Sequence, residues 1–161
     1  MAFARDVLGH YTITGPQTEE EILAAAEDIL ARRLYREASI GNPRDMEQFL
    51  RMRLGHLQHE EFHLCLLDNR HRVLDVIKHG QGTLDGASIH PREVVKAVLR
   101  TNAAAVVLVH NHPSGVAEPS AADRAITKIL IAALGTIEVR ILDHLIITAG
   151  ECCSMAARGL M

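Results

Sequence analysis

The stretch from Ala103 to Val109 is apolar at every position and rich in valine, and it stops abruptly at His110. Such a run fits a strand covered on both faces, the kind that sits in the middle of a layered α/β fold. It ends in His110-Asn111-His112-Pro113-Ser114-Gly115, where proline and glycine force a turn or loop. Pro119-Ser120 then opens a helix whose apolar stripe includes Ile126, Ile129, Leu130 and Ala133, and Gly135 is placed to end it. A buried strand, a turn rich in polar side chains and a capped helix therefore follow one another within a short span of chain.

The flanking sequence supplies the layers that such a strand requires. Met1 to Gln17 carry no clear period. Thr18 and Glu21 have capping-box spacing, and Ile22, Ala26, Ile29, Leu30 and Leu34 form one helical stripe after the acidic run Glu19-Glu20-Glu21. Asn42-Pro43 reads as an N-cap and first helical position, with Met46, Phe49, Leu50, Leu54 and Leu57 continuing the period. Phe62 to Leu67 and Val73 to Ile77, broken by Asp68-Asn69, predict a β-hairpin ended by Gly80 and Gly82. Pro91 opens a further helix with Val94, Val95, Val98 and Leu99. Ile137 to Leu142 and Leu145 to Thr148 read as two more strands, and a short turn over Ser154 to Arg158 closes the chain. The sum is a mixed α/β (α+β) fold, a β-sheet flanked by helices. Residues 1–38 form a lead-in with one amphipathic helix, and residues 39–161 form the main domain.

Composition narrows the function classes. The chain has 161 residues, is 48% hydrophobic, and carries a formal net charge of -3, which suits one folded domain and argues against a role in neutralising phosphate backbones. With aromatics at 3% and no tryptophan, stacking platforms for single-stranded nucleic acid are also disfavoured. DNA association from this chain alone is therefore expected to be weak. Three cysteines, two of them the neighbours Cys152 and Cys153, make a disulfide framework improbable. Neither a leader nor a membrane-length apolar run is read, so a reduced, soluble, cytoplasmic protein is expected, with a homo-oligomer left open.

His110 and His112 share a strand face and converge on one point, while Ser120 and Asp123 lie in the first turn of the following helix. Two imidazoles and one carboxylate leave a fourth tetrahedral position open, the pattern of catalytic rather than structural zinc. Each part alone has a plain structural use, since Ser120 with Asp123 also makes a helix cap. Their conjunction carries the metal reading. Cysteine catalysis is a poor rival: Cys65 lies inside an apolar strand, and Cys152-Cys153 have no evident base nearby.

The string HNHPSGVAEPSAAD resembles the JAMM zinc motif of the JAB/MPN metalloprotease family in its bacterial RadC-like form. The segments EEFHLCLLDNRHRVL, QGTL, HPREVVKAVLRTNAAAVVLVHNHPSG, DHLII and SMAARGLM extend the resemblance from Ser39 to Met161. It implies a cytidine-deaminase-like α/β sandwich, one zinc ion per chain, and hydrolysis of the metallopeptidase or isopeptidase type on a peptide or protein substrate. By position, His110, His112 and Asp123 match the family's zinc ligands. Ser120 matches the serine beside the bound water or developing oxyanion. The general base matches an E-x-F pattern, which Glu60 fits as the residue two before Phe62, with Glu61 adjacent.

Longer members of the family carry an N-terminal helix-hairpin-helix region associated with DNA; Met1 to Ala38 leave room for little more than one helix. The alternative to hydrolysis is a catalytically silent or DNA-repair-associated accessory protein that uses the fold as a binding module. A zinc deaminase is disfavoured because no C-x-x-C occurs.

Overall fold

The computed structural model of the chain describes residues 3–5, 11–13, 15–36, 43–82 and 89–161. Its main sheet is built around the two most apolar strands, β3 (Glu61–Leu67) and β5 (Ala105–Asn111), each buried at every position. Numbering in chain order, the other elements are β1 (Phe3–Arg5), β2 (Tyr11–Ile13), α1 (Glu19–Arg36), α2 (Pro43–Leu54), β4 (Val73–Gln81), α3 (Pro91–Thr101), α4 (Ala121–Gly135), β6 (Arg140–Ile147) and β7 (Cys152–Ser154). The five-stranded sheet has the order β4-β3-β5-β6-β7, and β1 pairs with β2 in a separate two-stranded ribbon. Only β5 and β6 run parallel, joined through α4; the other neighbours are antiparallel. The expected mixed sheet flanked by helices is present.

Strand alternation divides the interior into two cores. Cys65, Leu67, Val107 and Val109 face α2, where Met46, Phe49, Leu50 and Leu54 close one layer. Phe62, Leu64, Leu66, Val106 and Leu108 face the other way, against Val94 and Val98 of α3 and Leu130 and Leu134 of α4. The period of two along each strand is thus what sends successive residues into different layers.

Local chemistry explains most boundaries. Thr18 and Glu21 exchange backbone-to-side-chain hydrogen bonds at 2.9 and 3.3 Å, which starts α1 as the spacing predicts. Its Ile22 is nevertheless 49% exposed, so the stripe read from sequence packs only in part. The side chains of Leu30 and Leu34, the expected N-cap Asn42 and the boundary at residue 38 lie outside the described residues. In the β3–β4 turn the Asp68 carboxylate accepts from the amides of Arg70 and Arg72 at 2.8 and 2.9 Å.

Several boundaries differ from expectation. α2 ends at Leu54 rather than Leu57, and β4 continues through Gly80 to Gln81. Gly80 fits inside the strand because a Cβ there would lie 2.6 Å from the Ile89 side chain. The two strands read around Ile137–Thr148 are one strand, β6, with a register shift opposite Val106 and Val107 that leaves Leu142 out of the pairing and keeps Asp143 in it. The ribbon β1–β2 and the short edge strand β7 carry too little alternation to be read from sequence.

Candidate metal centre

β5 does not stop where its hydrophobicity stops. The ladder continues through His110 and Asn111, and the amide of His112 donates to the carbonyl of Ile147 at 2.8 Å. His110 therefore emerges on the face shared by Val106 and Leu108, beneath the N-terminus of α4. That terminus is fixed by a capping box. The Asp123 amide donates to Ser120 Oγ at 3.0 Å, and the Ser120 amide donates to Asp123 Oδ2 at 2.7 Å. The cap directs the Asp123 carboxylate inward, where it is fully buried.

Three expected residues meet there. His110 Nδ1 is 2.8 Å from Asp123 Oδ1, and His112 Nε2 is 3.4 Å from Asp123 Oδ2. The two imidazole centroids are 4.9 Å apart and nearly perpendicular. Glu60, just before β3, brings Oε2 to 3.6 Å from His110 Nε2. Ser120 Oγ donates to Asp123 Oδ2 at 2.6 Å, so in this arrangement the hydroxyl holds the carboxylate. Glu61 lies on the opposite face, where His59, His63 and Lys78 surround its carboxylate. The structure thus brings Glu60, His110, His112, Ser120 and Asp123 together and takes Glu61 away.

The electrostatics follow from burial and donors. Burial raises the Asp123 pKa, but hydrogen bonds from His110, His112 and Ser120 more than offset it and hold the carboxyl below its ordinary range. The Asp123 carboxylate raises His112 above its usual value against the opposing effect of burial. For Glu61, burial is likewise outweighed by hydrogen bonds from Lys78, His63 and His59, which bring it to about 2. Burial pushes the thiols of Cys65 and Cys152 up to about 12, so neither is a thiolate nucleophile at neutral pH.

The donor set fits a metal cation. His112 Nδ1 lies 2.9 Å from the Val116 carbonyl, which fixes that nitrogen as the donor and turns Nε2 towards the Asp123 carboxylate, where it can carry either a proton or a metal ion. His110 spends Nδ1–H on Asp123, and its Nε2 is a buried polar atom without a hydrogen-bond partner among the described residues. Two imidazole nitrogens directed towards carboxylate oxygens form a mixed nitrogen and oxygen donor set that a proton or a metal cation between them satisfies.

Among the described residues, the donor atoms lying within 4.8 Å of one another belong to His110, Asp123 and His144. His144 was not anticipated from sequence, because one histidine inside the apolar run of β6 gives no spacing signal. It is fully buried; its Nδ1 is 2.7 Å from Thr127 Oγ1 and its Nε2 has no hydrogen-bond partner among the described residues. Burial drops its pKa to about 3, so it is neutral. His144 closes the inner side of the cluster. The outer side is open, with the Glu60 and His112 side chains 24% and 12% exposed. Among the described residues no helix is long and apolar enough to cross a membrane.

Known proteins share this sequence over most of its length. The family described as RadC-like JAB domain matches residues 40–160. A UPF0758 protein of Vibrio cholerae is 50% identical over 141 residues, covering 88% of this chain and 89% of its own length. A UPF0758 protein of Marinobacter nauticus is 49% identical over 146 residues, 88% of this chain, of which the chain spans only 64%. One from Alcanivorax borkumensis is 46% identical over 155 residues, 94% of this chain and 69% of that protein. The matched region contains the whole sheet, both cores and every residue of the cluster around Asp123. The chain belongs to the RadC-like JAB domain family.

Proposed function

We propose that this chain is a zinc-dependent hydrolase acting on an amide bond of a peptide or protein, of the metallopeptidase or isopeptidase type. The observation that carries the reading is the environment of His110, whose Nδ1 is 2.8 Å from Asp123 and whose buried Nε2, 3.6 Å from Glu60, has no hydrogen-bond partner among the described residues. His110, His112 and Asp123 would hold the ion, a mixed nitrogen and oxygen set that suits zinc better than harder cations. Bound there, zinc would supply Lewis acidity that brings the pKa of a coordinated water towards ~7.

The remaining work falls to the chain itself. Glu60 is near enough to His110 to face the attacking water and exposed enough to reach a substrate. It takes the water's proton and returns it to the leaving amine, so no covalent intermediate is required. Ser120 holds Asp123 through both its amide and its hydroxyl. The amide bond persists when the hydroxyl rotates, which frees Oγ–H to donate to the developing oxyanion.

Elemental analysis of protein purified without added metal tests the metal. One zinc per chain is expected, and none after His110 and His112 are both replaced by Ala. Stoichiometric zinc in that double variant would remove these ligands from the reading. A peptide and protein substrate panel, run with zinc-loaded and metal-free protein, tests the reaction. Equal activity in both forms, or activity in neither, overturns the hydrolase.

A further inference from the structure

Asn111 lies between the two histidines of the cluster, yet its side chain points away from them. Alternation sends His110 towards α4 and Asn111 to the α2 side, where it is 1% exposed. Its amide there makes two hydrogen bonds. Oδ1 accepts the amide of Glu61 at 2.7 Å, and Nδ2 donates to the carbonyl of His59 at 2.9 Å. The orientation is determined, because the reversed amide would set donor against donor and acceptor against acceptor.

Those two partners are the residues on either side of Glu60. The last ladder pair of β3 and β5 is Phe62 with His110, so Asn111 stands where the next pair would form. Its side-chain amide substitutes for a peptide group and extends the ladder past its backbone limit. The carbonyl of Glu60 itself is held from the other side by the amide of Gly82, at 2.9 Å. Three consecutive residues, His59 to Glu61, are therefore fixed by their backbones just where the strand would otherwise fray.

Among the described residues Glu60 has no comparable fixing through its side chain, and its carboxylate makes the 3.6 Å approach to His110. Its aim depends on the backbone beneath it. We propose that Asn111 is a positioning residue that holds Glu60 in place to act as the proton carrier. The inference rests on the hydrolase reading above, since it needs an ion and a reacting water for Glu60 to face. Asn111 touches neither. It acts through the peptide groups flanking Glu60, and a misplacement of about 1 Å there is enough to cost roughly 10²-fold in rate.

The test compares wild type with Asn111→Ala and with Asn111→Leu, which keeps the volume if the smaller residue leaves the strand too loose to fold. In metal-free protein, amide exchange of Glu61 is expected to rise about tenfold in the variants while that of Leu64, in the middle of β3, stays unchanged. Zinc uptake by elemental analysis is expected to remain at one per chain. With carboxyl-labelled glutamate, the Glu60 resonance should move on adding zinc to wild type, and that movement should shrink in both variants, with kcat falling about 10²-fold and KM unchanged. Unchanged exchange at Glu61 removes the clamp. Faster exchange with a wild-type Glu60 response and kcat rejects the positioning role alone. A wild type that takes up no zinc fails at the earlier step, and both readings then fall together.

Discussion

Glu60 and Glu61 are neighbours in the chain and lie on opposite faces of the same sheet. The carboxylate of Glu60 is 3.6 Å from His110 Nε2, whereas that of Glu61 accepts from His63 Nε2 at 2.7 Å on the α2 side. Adjacent residues of one type thus carry different chemistry because strand alternation separates them. The first expects a role in proton transfer, the second a role in stability.

Glu60→Gln should keep one zinc per chain and near-wild-type stability while turnover falls by about 10²–10⁴. Glu61→Gln should keep zinc and most of the turnover. Parallel zinc analysis and kinetics on any cleavable substrate check this. A dead Glu61→Gln enzyme beside an active Glu60→Gln enzyme would reverse the assignment of the base.

Glu61 also sets a pH dependence of folding. Its pKa falls from 4.5 to about 2 on folding, so the folded state prefers the charged carboxylate. That contribution is fully present above the unfolded value of 4.5 and is lost as pH drops through about 2. Denaturant midpoints for wild type should decline between pH 5 and 2, and Glu61→Gln should flatten the decline while lowering stability at pH 7 by a few kcal/mol, about the loss of one partner in a buried pair. A decline of the same depth in both proteins would assign the acid sensitivity elsewhere.

Ser120→Ala removes the side-chain half of the α4 cap and the hydroxyl donor to Asp123. The expected cost is about 1 kcal/mol of stability. Because the same hydroxyl orients an expected ligand, zinc affinity should also weaken by about 10–100-fold. Thermal melts and competition with a chelator measure the two effects separately. Loss of stability alone would reduce Ser120 to a helix cap.

Duplex DNA should bind no tighter than the ~10⁻⁴–10⁻⁶ M range of non-specific association at physiological salt. A titration repeated at several salt concentrations checks this. Nanomolar affinity for any DNA form would move the main role of this chain away from hydrolysis.

Much of the architecture was legible because its signals were local and strong. A valine-rich run marked β5 and a compact apolar run from Phe62 to Leu67 marked β3, while Pro91 opened α3 and Thr18 with Glu21 opened α1. The boundaries that differed were decided by partners distant in the chain. β5 runs from Ala105 to Asn111 rather than from Ala103 to Val109, because β3 pairs with it as far as His110 and β6 as far as Asn111, and no hydrophobicity pattern records that. Asp143 lies between the two strands read from sequence, yet its carboxylate accepts from Ser154 Oγ at 2.5 Å and from the Ala156 amide at 2.9 Å, so it is satisfied inside β6. The cluster on β5 and α4 lies within one short stretch, which is why motif spacing could mark it. His144 and Asn111 join the picture only through sheet pairing and side-chain direction.

The pairing of Phe62 with His110 has a consequence for how a population of these molecules should be judged. A chain that closed its sheet one residue out of step would still set a glutamate beside His110, but with every apolar side chain of β3 turned to the wrong core. A slip of two residues would keep the faces correct and carry Glu60 roughly 7 Å along the strand. That second species would have nearly the right secondary structure, and both of its metal-bearing segments would remain intact. It would be counted as folded by spectroscopy and as loaded by metal analysis, yet it would be inert. Specific activity therefore reports the fidelity of strand alignment in a preparation, a property to which bulk measures of structure are blind.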